Sequence, residues 1–126
     1  MRAVNTNVLV RLLIRDDANQ QVAGEAFVMP GAWVSHLVLA ETVWVLTSVF
    51  GRSHTELINA IQMLLAHESL VVEDTDVVTA ALEIYKKKIS LRFTDCLILE
   101  IARKVGHLPL GTFDRGLAKL EGAQKL

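Results

Sequence analysis

Apolar stretches of only two to four residues alternate with longer helical patterns along this chain, and that alternation restricts it to an α/β architecture. Ala3-Val4 reads as the end of a brief buried strand, followed at once by a helical pattern from Thr6 to Ile14. Asp16-Asp17 offers an N-cap for a second helix running through Ala23 to Val28, stopped by Met29-Pro30-Gly31. Ala32-Trp33-Val34 is a second short strand, Ser35 caps the next helix, and Gly51 ends it. Ser53-His54-Thr55-Glu56 has capping-box spacing and opens a helix through Ala66. Leu70-Val71-Val72 is a third strand, and Asp74 to Asp76 caps a helix ending near Lys88. A further helix carries Asp95 and closes at Gly106; Leu108-Pro109-Leu110 is a fourth strand. Arg115 to Leu120 forms a short helix that Asp114 can cap, and the tail from Ala123 to Leu126 can add an edge strand. Strands alternating with helices predict a short parallel sheet covered on both faces.

At 126 residues the chain is expected to be a single domain spanning 1–126, with no internal repeat or linker. Apolar residues make up 52% and charged residues 21%, which excludes extended disorder. The net charge of −1 advertises neither a nucleic-acid nor a membrane partner, although bound cations would reverse the potential at an acidic site. The only cysteine, Cys96, cannot form an internal disulfide and fits a reducing compartment. The opening residues lack the pattern of a signal peptide, and no run reaches the roughly 18 apolar residues of a membrane span. A cytoplasmic domain with no membrane partner is the expectation.

Three carboxylates stand out because they lie in or against apolar runs. Glu41 has Leu37, Val38, Trp44 and Val45 three and four residues away. Asp95 opens Asp95-Cys96-Leu97-Ile98-Leu99, and Asp114 closes Leu108-Pro109-Leu110-Gly111-Thr112-Phe113. A lone buried carboxylate is costly, so such groups pair, protonate or bind metal. In a parallel sheet, ligands gather beyond the carboxyl ends of the strands. Asn5, Glu41, Asp95 and Asp114 are therefore expected to converge at one edge of one sheet.

Other chemistries have less support. Cys96 lies in an apolar run and reads as an inert core thiol. No histidine pair has zinc-ligand spacing, and neither GxGxxG nor GxxxxGK[ST] occurs. Lys86-Lys87-Lys88 with Arg92 reads first as a solvated helix end. Together with Arg11, Arg15 or Arg115 it is also a candidate grip on a nucleic-acid backbone. The Leu9-Leu12-Leu13 and Ile58-Ile61-Leu65 stripes read as core, and either could instead form a dimer face.

Four segments carry a family resemblance: Val4-Asn5-Thr6-Asn7-Val8-Leu9-Val10-Arg11-Leu12-Leu13, Ser35-His36-Leu37-Val38-Leu39-Ala40-Glu41, Phe93-Thr94-Asp95-Cys96-Leu97-Ile98 and Gly111-Thr112-Phe113-Asp114-Arg115. In this order they resemble the signature stretches of PIN-domain ribonucleases, and more narrowly the VapC toxins of bacterial VapBC toxin–antitoxin pairs. The resemblance runs from Met1 to about Leu120. It implies a PIN-like three-layer α/β/α fold with a parallel sheet of roughly four to five strands. It also implies a Mg²⁺- or Mn²⁺-dependent endoribonuclease, a homodimer, and a small VapB-type antitoxin whose C-terminal tail covers the active site. Asn5, Glu41, Asp95 and Asp114 would be the catalytic and metal-holding positions, with Thr6, Asn7, Ser35 and Thr112 orienting them.

Phosphodiester hydrolysis needs a nucleophile made from water and relief of charge on phosphate and leaving oxygen. A divalent cation serves both needs, and products with a 5′-phosphate and a 3′-hydroxyl are expected. Asn5 departs from the family pattern, which has aspartate there. Its amide oxygen can touch a cation, but it brings no charge and its NH₂ is no ligand. The resemblance therefore implies a nuclease weakened at this position. The alternative is a non-catalytic PIN-like module that binds antitoxin or RNA without cutting.

Overall fold

The computed structural model describes residues 1–126, which form two compact units, 1–73 and 74–126. In the first, β1 (Arg2–Ala3), α1 (Thr6–Leu13), α2 (Ala18–Val28), β2 (Ala32–Val34), α3 (His36–Ser48), α4 (His54–Ala66) and β3 (Leu70–Val72) follow one another. The second holds α5 (Thr75–Lys87), α6 (Phe93–Lys104), β4 (Leu110–Thr112), a 3₁₀ turn (Leu117–Lys119) and β5 (Ala123–Lys125). The element order is the expected one. The sheet is not: five strands divide into a three-stranded sheet β1-β2-β3 and a separate two-stranded sheet β4-β5, all neighbours parallel. With only two residues, β1 offers few ladder groups to a further strand, whereas β4 and β5 match three residues against three. Pro109 has no N–H to donate, so the fourth strand begins at Leu110, later than the Leu108 expected from sequence.

Capping explains the helix starts. The Asp17 and Ser35 side chains accept from Gln20 N and Val38 N. Ser53 accepts from Glu56 N at 3.2 Å while Glu56 accepts from Ser53 N at 3.0 Å, completing the capping box. Ser53→Ala is expected to cost about 1 kcal/mol, read as a lower urea midpoint with unchanged slope. Asp74 stands at the start of α5 but makes no side-chain cap bond. Its φ of 39° turns the carboxylate elsewhere, and Oδ2 lies 3.8 Å from Lys104 Nζ. At the C-terminal end of α6, Gly106 takes φ 81° while His107 N donates to Ala102 O, closing the helix as expected.

Burial follows helical spacing within each unit. Leu39, Thr42, Val43 and Leu46 form the inner ridge of α3, and Thr42 resolves its burial by donating to Val38 O at 2.7 Å. The inner ridge of α4 is Leu57-Ile61-Leu64, one position round from the expected Ile58-Ile61-Leu65 stripe. In the second unit α5 packs along α6, with Tyr85 and Phe93 edge to face at 5.8 Å. No helix is long and apolar enough to cross a membrane.

Candidate active site

Parallel strands bring their carboxyl ends to a common edge, and in the first unit that edge carries Asn5, Ser35, His36 and Glu73. The edge is tied by backbone bonds from Val4 N to Trp33 O and from Glu73 N to Val34 O. Asn5 is the N-cap of α1, its Oδ1 accepting from Thr6 N at 2.7 Å. The contact comes from the Thr6 backbone N–H, and the Thr6 side chain is buried. Asn7 points instead to a groove of about 650 Å³ that it lines with Arg11, Phe27 and Val49.

Glu41 overturns the premise that singled it out. It is exposed, and so are its apolar neighbours Leu37 (76%) and Trp44 (58%). Helix α3 is apolar on nearly every side, so an apolar surrounding in sequence does not mean a buried one. The carboxylate is therefore free to meet a ligand without any desolvation debt. Ser35 is an N-cap, as its position before the helix suggested.

Sequence reasoning missed Glu73. Its Oε1 accepts from His36 N at 2.8 Å and lies 3.8 Å from His36 Nδ1, while His36 Nε2 is buried without a partner. The signal was available: Glu73 immediately follows β3, where a parallel sheet presents its ligands.

In the second unit Asp95 sits in the first turn of α6 and Asp114 follows β4. Asp95 is mostly covered, and its Oδ2 accepts from Arg92 Nε at 3.3 Å. Arg92 thus serves a carboxylate rather than standing free. Asp114 is exposed but firmly held: its N–H donates to Thr112 Oγ1 at 3.0 Å, and Oδ1 accepts from Leu117 N at 2.8 Å. Thr112 thus ties the backbone at Asp114, and the Leu117 N–H is the group that meets its carboxylate. Gly116 leaves it room, since a Cβ there would lie 3.3 Å from Asp114 Oδ1 and 3.1 Å from Leu91 Cδ2. The helix expected over Arg115–Leu120 is only the 3₁₀ turn Leu117–Lys119. Among the candidate cations, Lys86 pairs with Glu83, Arg11 with Asp16 and Arg15 with Glu25.

Glu100 also escaped notice, although it lies in an apolar run just as Glu41 does. It is the carboxylate that is buried, and Arg103 Nε donates to it at 2.9 Å. Cys96 is fully buried, and desolvation, with the Asp95 and Glu100 charges adding, pushes its thiol from 9.0 to about 11. Native protein is expected to resist iodoacetamide at pH 8. Because the folded value is raised, this thiol's contribution to stability is complete below pH 9 and is lost as pH rises through about 11. Urea midpoints across that range, compared with Cys96→Ala, measure the loss.

No group of three His, Cys, Asp or Glu side chains stands ready in the chain to hold a metal ion. By donor chemistry the residues suit a hard divalent cation. Asp95 and Asp114 each have one oxygen anchored by a hydrogen bond and a second left to offer, and Glu41 is open.

The PIN domain profile matches residues 3–123, so the chain belongs to the PIN-domain family. Proteins of that family are nucleases that generally use divalent metal ions. Among solved structures, VapC20 of Mycobacterium tuberculosis, a toxin that cleaves the sarcin-ricin loop, is similar at 23% identity, covering 90% of this chain and 88% of that one with a TM-score of 0.44. No curated protein matches the chain significantly.

Proposed function

We propose that this chain is an endoribonuclease toxin of the VapC type, dependent on Mg²⁺ or Mn²⁺, held in check by a small VapB-type antitoxin, and weakened by Asn5. The observation that carries the reading is the family match over residues 3–123, which spans all four signature segments in their order. In this reading the two units serve as one domain, 1–126. Asn5, Glu41, Asp95 and Asp114 are its metal-holding positions. When bound, a divalent cation supplies an acidified water and neutralises charge on the phosphate.

The chain's own residues supply the positioning. The Leu117 N–H holds one oxygen of Asp114, whose backbone N–H is tied to Thr112 Oγ1, and Arg92 holds one oxygen of Asp95. Lys87, Lys88 and Arg115 are exposed and suit contacts to the RNA backbone, with Lys86 joining them by releasing Glu83 and Arg92 through the guanidinium nitrogens that Asp95 does not engage. The groove beside α1 and α2, apolar with Arg11 at its wall, suits an amphipathic antitoxin segment. A homodimer in the cytoplasm completes the proposal.

The experiment is direct. An Asn5→Asp protein is incubated with RNA and Mn²⁺, with and without EDTA, and product ends are analysed. Cleavage that stops with EDTA and leaves 5′-phosphates supports the reading; cleavage that persists unchanged in EDTA defeats it. A second reading, a non-catalytic module that binds antitoxin or RNA, is favoured by one observation. The amide at position 5 brings no charge and its oxygen is already engaged by Thr6 N.

A further inference from the structure

Phe113 is 77% exposed on a segment whose backbone is otherwise pinned. Leu126 N donates to Thr112 O, Asp114 N to Thr112 Oγ1, and Leu117 N to Asp114 Oδ1. The ring is therefore displayed from a rigid strand end, where its immobilisation against a partner would cost little further ordering. Phenylalanine normally belongs to the interior, where its burial is favourable, so its open position is not a consequence of the core's needs. Its neighbours define a chemistry. Asp114 repels a polyanion, and a nucleic-acid chain brought to it must be held by something else. Arg115, exposed and without an ion-pair partner, offers a charge for phosphate, and the Phe113 ring offers a neutral face.

We propose that Phe113 is a base-stacking residue, its ring packing against an unpaired base of RNA and so selecting which nucleotide lies beside Asp114. The assignment rests on the ribonuclease reading above and adds to it the residue that holds a base beside Asp114. Every base has a π-face, so the contact tolerates sequence but not the loss of the base.

The test is binding of a labelled, short single-stranded oligoribonucleotide in EDTA, followed by fluorescence anisotropy, for the parent chain and for Phe113→Ala, Phe113→Leu and Phe113→Tyr. Loss of one stacking contact is expected to weaken binding about 5- to 100-fold in the alanine and leucine proteins. Tyrosine should restore it, and all four proteins should share one thermal midpoint. An oligonucleotide abasic at the stacked nucleotide should bind all four alike. In the Asn5→Asp background with Mn²⁺, Phe113→Ala should raise KM far more than it lowers kcat. If leucine binds as well as phenylalanine, or if all variants bind and cut alike, the stacking role is wrong while the nuclease reading stands. If the parent chain binds no RNA and Asn5→Asp cuts none, the nuclease reading fails and this proposal with it.

Discussion

Asn5→Asp is expected to raise the rate of RNA cleavage by about two to four powers of ten, the scale on which a missing electrostatic or acid–base group acts. The local geometry makes the comparison clean. Asn5 Oδ1 accepts from Thr6 N at 2.7 Å, and an aspartate keeps that acceptor while replacing an NH₂, which cannot be a ligand, with a second anionic oxygen. Aspartate is as good an N-cap as asparagine, and its charge at the start of α1 is favoured by the helix dipole by about 0.3–1 kcal/mol. The fold should therefore be unchanged or slightly stabilised, so that a gain in rate reports chemistry rather than folding. Initial rates at saturating Mn²⁺ measure the effect, and isothermal titration should show tighter Mn²⁺ binding by the aspartate protein. Equal rates together with absent Mn²⁺ binding in both proteins would establish the non-catalytic module instead.

The largest expected effect on stability is at Arg103. Glu100 is buried, and Arg103 bridges it to Glu121 by donating from Nε to Glu100 at 2.9 Å and from Nη2 to Glu121 O at 2.6 Å. Arg103→Ala strands a buried carboxylate, while the exposed Glu121 carbonyl turns to water. A fully buried pair broken in this way costs about 3–5 kcal/mol. Because the guanidinium is about a third exposed, about 2–3 kcal/mol is expected here. Glu100→Gln should cost less, about 1 kcal/mol, since a neutral amide still accepts a hydrogen bond. Urea unfolding of both single variants and the double variant separates the coupling from the individual losses. A double variant no more stable than the sum of its parts would show that the pair is not a unit.

Much of the fold was legible because it is written in local chemistry. Ser53-His54-Thr55-Glu56 became the capping box it spelled, Ser35 and Asp17 became caps, and Gly106 closed α6. Each depends on hydrogen bonds among residues a few positions apart, so no distant contact could override it. At the site, the Asp114 N–H meets Thr112 Oγ1 and the Thr6 N–H meets Asn5 Oδ1, contacts between close sequence neighbours. Glu41 was chosen for the wrong reason: the same argument about apolar surroundings applies better to Glu100, which is the buried acid.

By itself the amino-acid order determined the parallel α/β class, the capped starts of the longer helices and the four family segments, because spacing and caps act within one or two turns. Only the tertiary structure decided that five strands divide into two sheets, that the outer face of α3 carries Leu37, Glu41 and Trp44 into solvent, and that Glu100 needs Arg103. Such outcomes depend on which surfaces meet after chain segments have folded, and burial is a property of that meeting rather than of any residue's neighbours in sequence.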